Sequence, residues 1–237
     1  MLVSYAGGRA KYMQFQIENC RKALSLGVHE CFLFGRHSLP AYYAAINKHI
    51  LDVPAGAGLW SWKAISIFMA LHMLSDEDTV LYMDSGSFLI GDATALFQQA
   101  ESGSSDVMLF ADCLWSVEQY SQRQALVLLD GDKFIDRFMP LAAWSLWHKT
   151  PFADLFLARW LTYSQDLRVL QADSFPGYTL PQHPKFKEHR HDMVPLIISA
   201  YHANISLFRD PSQYGVSPEC HQRYPNSEFY GQLIKEM

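Results

Sequence analysis

The chain opens with a short apolar run, residues 2–6, closed by Gly7-Gly8, which predicts a buried strand and then a turn. Met13, Ile17, Cys20 and Leu24 recur at helical spacing, and Gly27 ends that helix. Residues 31–34 form a second apolar run. Helical patterns follow over 38–48 and over 60–74, the latter with Ala64, Phe68 and Leu71 on one stripe. Residues 79–83 predict a third strand, 92–100 a helix and 107–110 a fourth strand.

Strands alternating with helices in this way predict an α/β fold, with a mainly parallel sheet and helices on both faces. Such sheets hold ligands outside the carboxyl ends of their strands. The loop after strand one (Ala6, Gly7, Gly8, Arg9) and the loop after strand three (Asp84, Ser85, Gly86, Ser87) are therefore the places to look. The second half is less regular. Residues 117–128 read as helix, 141–147 as strand, Pro151–Tyr163 as a helix with Pro in its first turn, 173–187 as loop and 191–201 as helix. No repeat or linker divides the 237 residues, so one domain is expected, with a nucleotide-binding half over 1–110 and an acceptor-side half over 111–237.

Composition narrows the classes. A net charge of −5 with no basic run leaves nucleic acid without an electrostatic footprint. No uninterrupted apolar stretch is long enough to span a bilayer, although peripheral contact with a membrane stays open. The start of the chain reads directly as a strand, without a signal-peptide pattern. None of Cys20, Cys31, Cys113 and Cys220 forms a CxxC pair; Cys20 and Cys31 read as buried free thiols, and a reducing cytoplasm is the expected compartment.

Candidate chemistry lies in three segments. Asp84, at the end of a buried strand and followed by small residues, can hold a divalent metal, or can simply begin a turn. Gly56-Ala-Gly-Leu-Trp60-Ser-Trp-Lys63 puts a lysine beside glycine-rich backbone at a helix start, where phosphate oxygens bind; the alternative is two core tryptophans and a solvated lysine. Glu188-His-Arg-His-Asp192 offers acid/base groups and a phosphate clamp, or a charged helix start capped by Asp192. A zinc site from His183, His189, His191 and His202 matches no standard spacing.

Gly58-Leu-Trp-Ser-Trp-Lys-Ala64, Tyr82-Met-Asp-Ser-Gly-Ser87, Glu188-His-Arg-His-Asp-Met193, Arg209-Asp-Pro-Ser-Gln-Tyr-Gly215 and Pro225-Asn-Ser227 occur in that order. Together they resemble bacterial and viral polysaccharide-type glycosyltransferases of the GT-A, Rossmann-like fold. The likeness covers nearly the whole chain and is weaker over 112–180. It implies a nucleotide-sugar donor, UDP foremost, and a glycan or glycolipid acceptor in surface polysaccharide or lipopolysaccharide synthesis. Under it Ser4, Tyr5, Ala6, Gly7 and Arg9 bind the base, and Trp60, Lys63, Asp84, Ser85, Gly86, His189 and Arg190 bind the rest of the donor. Asp84 is the metal ligand, for Mn²⁺ or Mg²⁺, and Asp192, Glu188 and His191 are the catalytic candidates. Likeness to retaining lipopolysaccharide enzymes points to retention. The chain departs from the pattern at Gly86, where the second metal-binding carboxylate would stand, and at Met193, where a glutamine would. It also lacks the relatives' His-His-Arg segment, for which His221 or Arg223 is the expected substitute. A nucleotidyltransferase or hydrolase, and a catalytically impaired sugar-binding protein, are the alternative readings.

Overall fold

The computed structural model describes residues 1–76, 78–172 and 180–236; part of the loop expected over 173–187 lies outside them. Its centre is a six-stranded sheet built from β1 (Leu2–Ala6), β2 (Cys31–Gly35), β3 (Thr79–Met83), β5 (Val107–Ser116), β6 (Phe138–His148) and β7 (Leu207–Arg209). The order is β2-β1-β3-β6-β5-β7. β1 pairs in parallel with β2 and β3, and β5 with β7, whereas β6 runs antiparallel between β3 and β5. The sheet is thus mainly parallel, as the alternation predicts, with one reversed strand inserted. β4 (Ser87–Leu89) and β8 (Ile234–Glu236) form a separate antiparallel ribbon. Both are too short to show in the hydrophobic pattern.

Helices α1 (Ala10–Ala23), α2 (Trp62–Met73), α3 (Thr94–Gln99), α4 (Pro151–Tyr163), α5 (Met193–His202) and α6 (Pro218–Arg223) pack around the sheet. β1 and β3 are buried along their whole length, as strands covered on both faces must be. The region 117–128 is two short helices, Val117–Tyr120 and Arg123–Leu128, because Ser121 interrupts it in an extended conformation. α1 forms where expected but is turned. Met13, Ile17 and Leu24 are exposed, and Gln16 and Asn19 are buried instead. Specific bonds account for this: Gln16 Nε2 donates to the carbonyls of Ser4 and Phe34, and Asn19 Oδ1 accepts from the Leu89 N–H.

Two of the sequence motifs turn out to lock the C-terminal segment. Arg209 is 1% exposed, and its guanidinium donates to the carbonyls of Gly215, Ser227 and Tyr230 while stacking on the Tyr230 ring. A Cβ on Gly215 would lie 1.9 Å from the Asp210 carbonyl oxygen, so only glycine fits there. Cys113 and Cys220, 107 residues apart, form a disulfide; Cys20 and Cys31 are free but half-buried. The bridge removes the argument for a reducing compartment drawn from cysteine usage. Arg209→Met keeps the bulk but strands three carbonyls, so it is expected to cost about 3 kcal/mol of unfolding free energy. Urea denaturation checks this; a loss below about 0.5 kcal/mol, the size of an ordinary surface change, would show that the clamp is idle.

Candidate functional site

The cleft lies where β1 and β3 end, and its geometry begins with backbone. Gly56, Ala57, Gly58, Leu59 and Trp60 all have positive φ. A left-handed run through three non-glycine residues is costly, about 1–2 kcal/mol each, and must be held by its surroundings. Trp62 Nε1 and Ser61 Oγ do so, donating to the carbonyls of Gly56 and Gly58. A Cβ on Gly56 would meet the Trp60 ring at 2.3 Å. The turn sends the two tryptophans in different directions. Trp62 goes into the core, stacked on Tyr5 at 4.0 Å, while Trp60 stands in the cleft against the His191 ring at 5.1 Å.

Lys63 opens α2 and is 3% exposed. Its ammonium donates to Asp84 Oδ2 (2.9 Å) and to the Ala142 carbonyl (2.9 Å), and lies 3.3 Å from Asp192 Oδ2. The Asp192 contact is an ion pair outside good hydrogen-bond geometry. The other Asp84 oxygen accepts from the Tyr82 hydroxyl at 2.6 Å. Lys63 therefore spends its donors on protein groups. It holds the end of β3 and the start of α5 together, where the family resemblance has it reach the diphosphate. Burial alone would lower its pKa; Asp192 and Asp84 outweigh that and raise it. One positive charge serves two carboxylates. Burial pushes the enclosed Asp192 up to about 7, against the pull of Lys63 and with the charge of Asp84 adding to it.

Two cavities meet at this triad. One, about 480 Å³, is lined by Gly7, Gly8, Arg9, Tyr12 and the loop Ser85, Gly86, Ser87. The other, about 350 Å³, is lined by Asp112, Leu114, Trp115, Arg190, His191, Asp192, Met193 and Tyr214. Trp60, Asp84 and Glu236 line both. The first holds unspent polar groups: among the described residues the N–H groups of Ser85 and Gly86, and the buried Ser87 hydroxyl, have no partner. A Cβ on Gly86 would find only Tyr12, at 3.9 Å, so the protein itself has no need of glycine there.

The remaining candidates divide. Ser4, Tyr5 and Ala6 are buried in β1 and do not line the cleft. His189 is 3% exposed; its Nε2 donates to the Val169 carbonyl and its Nδ1 accepts from Gln122 N–H. Burial, then His191, pushes it down to about 3, so it is a neutral structural histidine. Glu188 is turned to Arg190 at 2.5 Å and lines neither cavity. Arg190 stacks on Trp115 at 4.5 Å. His191 Nδ1 donates to the Leu170 carbonyl, which leaves the Nε2 lone pair free; burial lowers its pKa. The four histidines weighed for zinc each bond elsewhere, and no metal-ligating cluster of three occurs among the described residues. His221 pairs with Glu228, and Arg223 lies outside the cleft. Asp112 and Glu236 were not legible: Asp112 carries no motif, and Glu236 arrives only through the pairing of β8 with β4. Asp112 is 2% exposed and its pKa is raised by burial, against backbone N–H bonds from Leu114 and Trp115.

No known family profile matches the chain, and no curated protein matches it. Among solved structures, the galactosyltransferase LgtC in complex with donor and acceptor sugar analogs is similar over all of this chain and 86% of its own, with a TM-score of 0.50 at 12% identity. A glycosyltransferase involved in glycosylation of the major capsid of PBCV-1 covers 100% and 94%, with a TM-score of 0.48 at 12% identity. Mouse xyloside xylosyltransferase 1 in its apo form covers 100% and 96%, with a TM-score of 0.44 at 10% identity. The fold is the GT-A glycosyltransferase fold. No helix among the described residues is long and apolar enough to cross a membrane.

A carboxyl raised to about 7 in the native state binds a proton that the unfolded chain has released above about pH 4. Its contribution to stability is present below that pH and is lost as pH rises through about 7. Asp192→Asn should therefore flatten the decline of unfolding free energy across this window. Equal slopes for the two proteins would contradict the assignment.

Proposed function

We propose that the chain transfers a sugar from a nucleotide-diphosphate donor, UDP foremost, to a glycan or glycolipid acceptor. The observation that carries the reading is the pair of adjoining cavities with Trp60, Asp84 and Glu236 at their junction. A transferase needs two substrates to meet at one point, and this junction offers it. The GT-A fold supports the same reading.

In this account the cavity at Gly7–Arg9 and Ser85–Ser87 takes the donor. Gly86 leaves room for close approach, and the unspent N–H groups and Arg9 face the phosphate oxygens. Bond cleavage makes an oxocarbenium-like carbon and a leaving diphosphate. Asp84 and Asp192 put negative charge by the first; Arg9 and Arg190 supply positive charge for the second. The other cavity takes the acceptor, with Trp60 and Trp115 as flat apolar faces and Asp112 as a hydroxyl partner. His191, neutral and with Nε2 free, is the base candidate for an inverting path; the family resemblance favours retention.

The residues present do not fit the divalent metal that the family implies. Both Asp84 oxygens already accept hydrogen bonds, and a buried ammonium sits 2.9 Å from one of them, where it would repel a dication. Lys63 is instead the resident cation of the site.

A thermal-shift screen of UDP-, GDP- and CMP-sugars tests the reading. One UDP-sugar is expected to raise the melting temperature without added Mn²⁺. Gly86→Ala should leave the ligand-free melting temperature unchanged and abolish that shift. If no nucleotide sugar stabilises the protein, the proposal is wrong.

A further inference from the structure

We propose that a second groove, between the C-terminal end of α5, the start of β6, β7 and the turn at 223–227, binds an acidic oligosaccharide. The groove has a volume of about 860 Å³, larger than either half of the cleft, and shares no lining residue with it. It has room for several sugar rings.

Its chemistry is specific. Arg137 and Arg223 both line it, beside one carboxylate, Asp136, and among the described residues neither arginine pairs with a carboxylate, so the lining keeps a net positive charge. The Arg223 guanidinium lies 4.4 Å over the Phe138 ring, which fixes its plane and leaves its N–H edges for a ligand. Tyr201 and Tyr224 stand beside these cations; their hydroxyls donate to the carbonyls of Phe138 and Asp112, so both rings are held in place. The carboxamides of Asn204 and Asn226 also line the groove and have no partner among the described residues.

Unpaired guanidinium forks suit carboxylates or sulfates. Fixed aromatic rings suit the apolar faces of sugars, and free carboxamides suit hydroxyls. A neutral glycan would leave the arginines unused, and a lone phosphate would leave most of the groove empty. The groove stands independently of the transfer reading. The connection to the cleft is the bond from Tyr224 to the carbonyl of Asp112, whose residue lines the acceptor half.

Calorimetric titration of the whole protein with oligogalacturonate, with heparin-derived oligosaccharide, and with a malto-oligosaccharide of the same length tests the inference. At least one acidic oligomer is expected to bind and the neutral one not to. Arg137→Ala with Arg223→Ala should weaken the acidic oligomer about tenfold or more. The same pair changed to lysine should recover part of the loss, because charge returns without the fork. Asp84→Asn should leave this binding unchanged. The proposal is overturned if neither acidic oligomer binds, if the alanine pair binds as tightly as the parent, if the neutral oligomer binds equally well, or if UDP displaces the acidic one.

Discussion

An ammonium group enclosed by protein must have its charge matched or lose its proton. Lys63 meets that requirement with Asp84, just after β3, Asp192, just before α5, and the carbonyl of Ala142 in β6. These parts are far apart in sequence and form the floor on which the two cavities meet. Removing the lysine would leave two close carboxylates without compensation. Removing one carboxylate would let the ammonium settle on the other. The cleft therefore depends on a charge balance as well as on packing.

That balance also explains the chemistry available. With one cation between two carboxylates, the triad carries a net negative charge only once Asp192, the more deeply enclosed and the first to take a proton, has released it, as pH rises through about 7. A negative floor favours a carbon that becomes positive. Under the proposed transfer it disfavours a free diphosphate, so the countercharge for that leaving group falls to Arg9 and Arg190, which line the two cavities. The left-handed turn from Gly56 to Trp60 serves the same arrangement. It brings Trp60 into the cleft and Lys63 to the first turn of α2, at a conformational cost that Trp62 and Ser61 offset through their bonds to the turn.

Much of the fold is readable from the chain, because buried parallel strands and their helices leave strong periodic patterns; β1, β3 and α4 lie where those patterns put them. α1 shows the limit. Periodicity marks a helix, but Gln16 and Asn19 turned it by bonding to backbone that no local pattern reveals. At the site, Lys63, Asp84 and Asp192 stand out in the sequence by type and context. Their mutual pairing does not, since Lys63 lies 21 residues from Asp84 and, as 192 − 63, 129 residues from Asp192. Ser4 and Tyr5 lie in the right strand but point into a core closed on both faces. Asp112 and Glu236 escape notice because a carboxylate past the apolar run that marks β5, or on a three-residue strand, resembles any surface acid.

A double-mutant cycle between Lys63→Met and Asp84→Asn, read by chemical denaturation, tests the central role of the triad most directly. Lys63→Met alone should cost about 3–5 kcal/mol, the usual loss when a buried charge is left unpaired. Adding Asp84→Asn should restore part of it, with a coupling of at least about 1 kcal/mol. Effects that simply add, to within about 0.5 kcal/mol, would contradict the account.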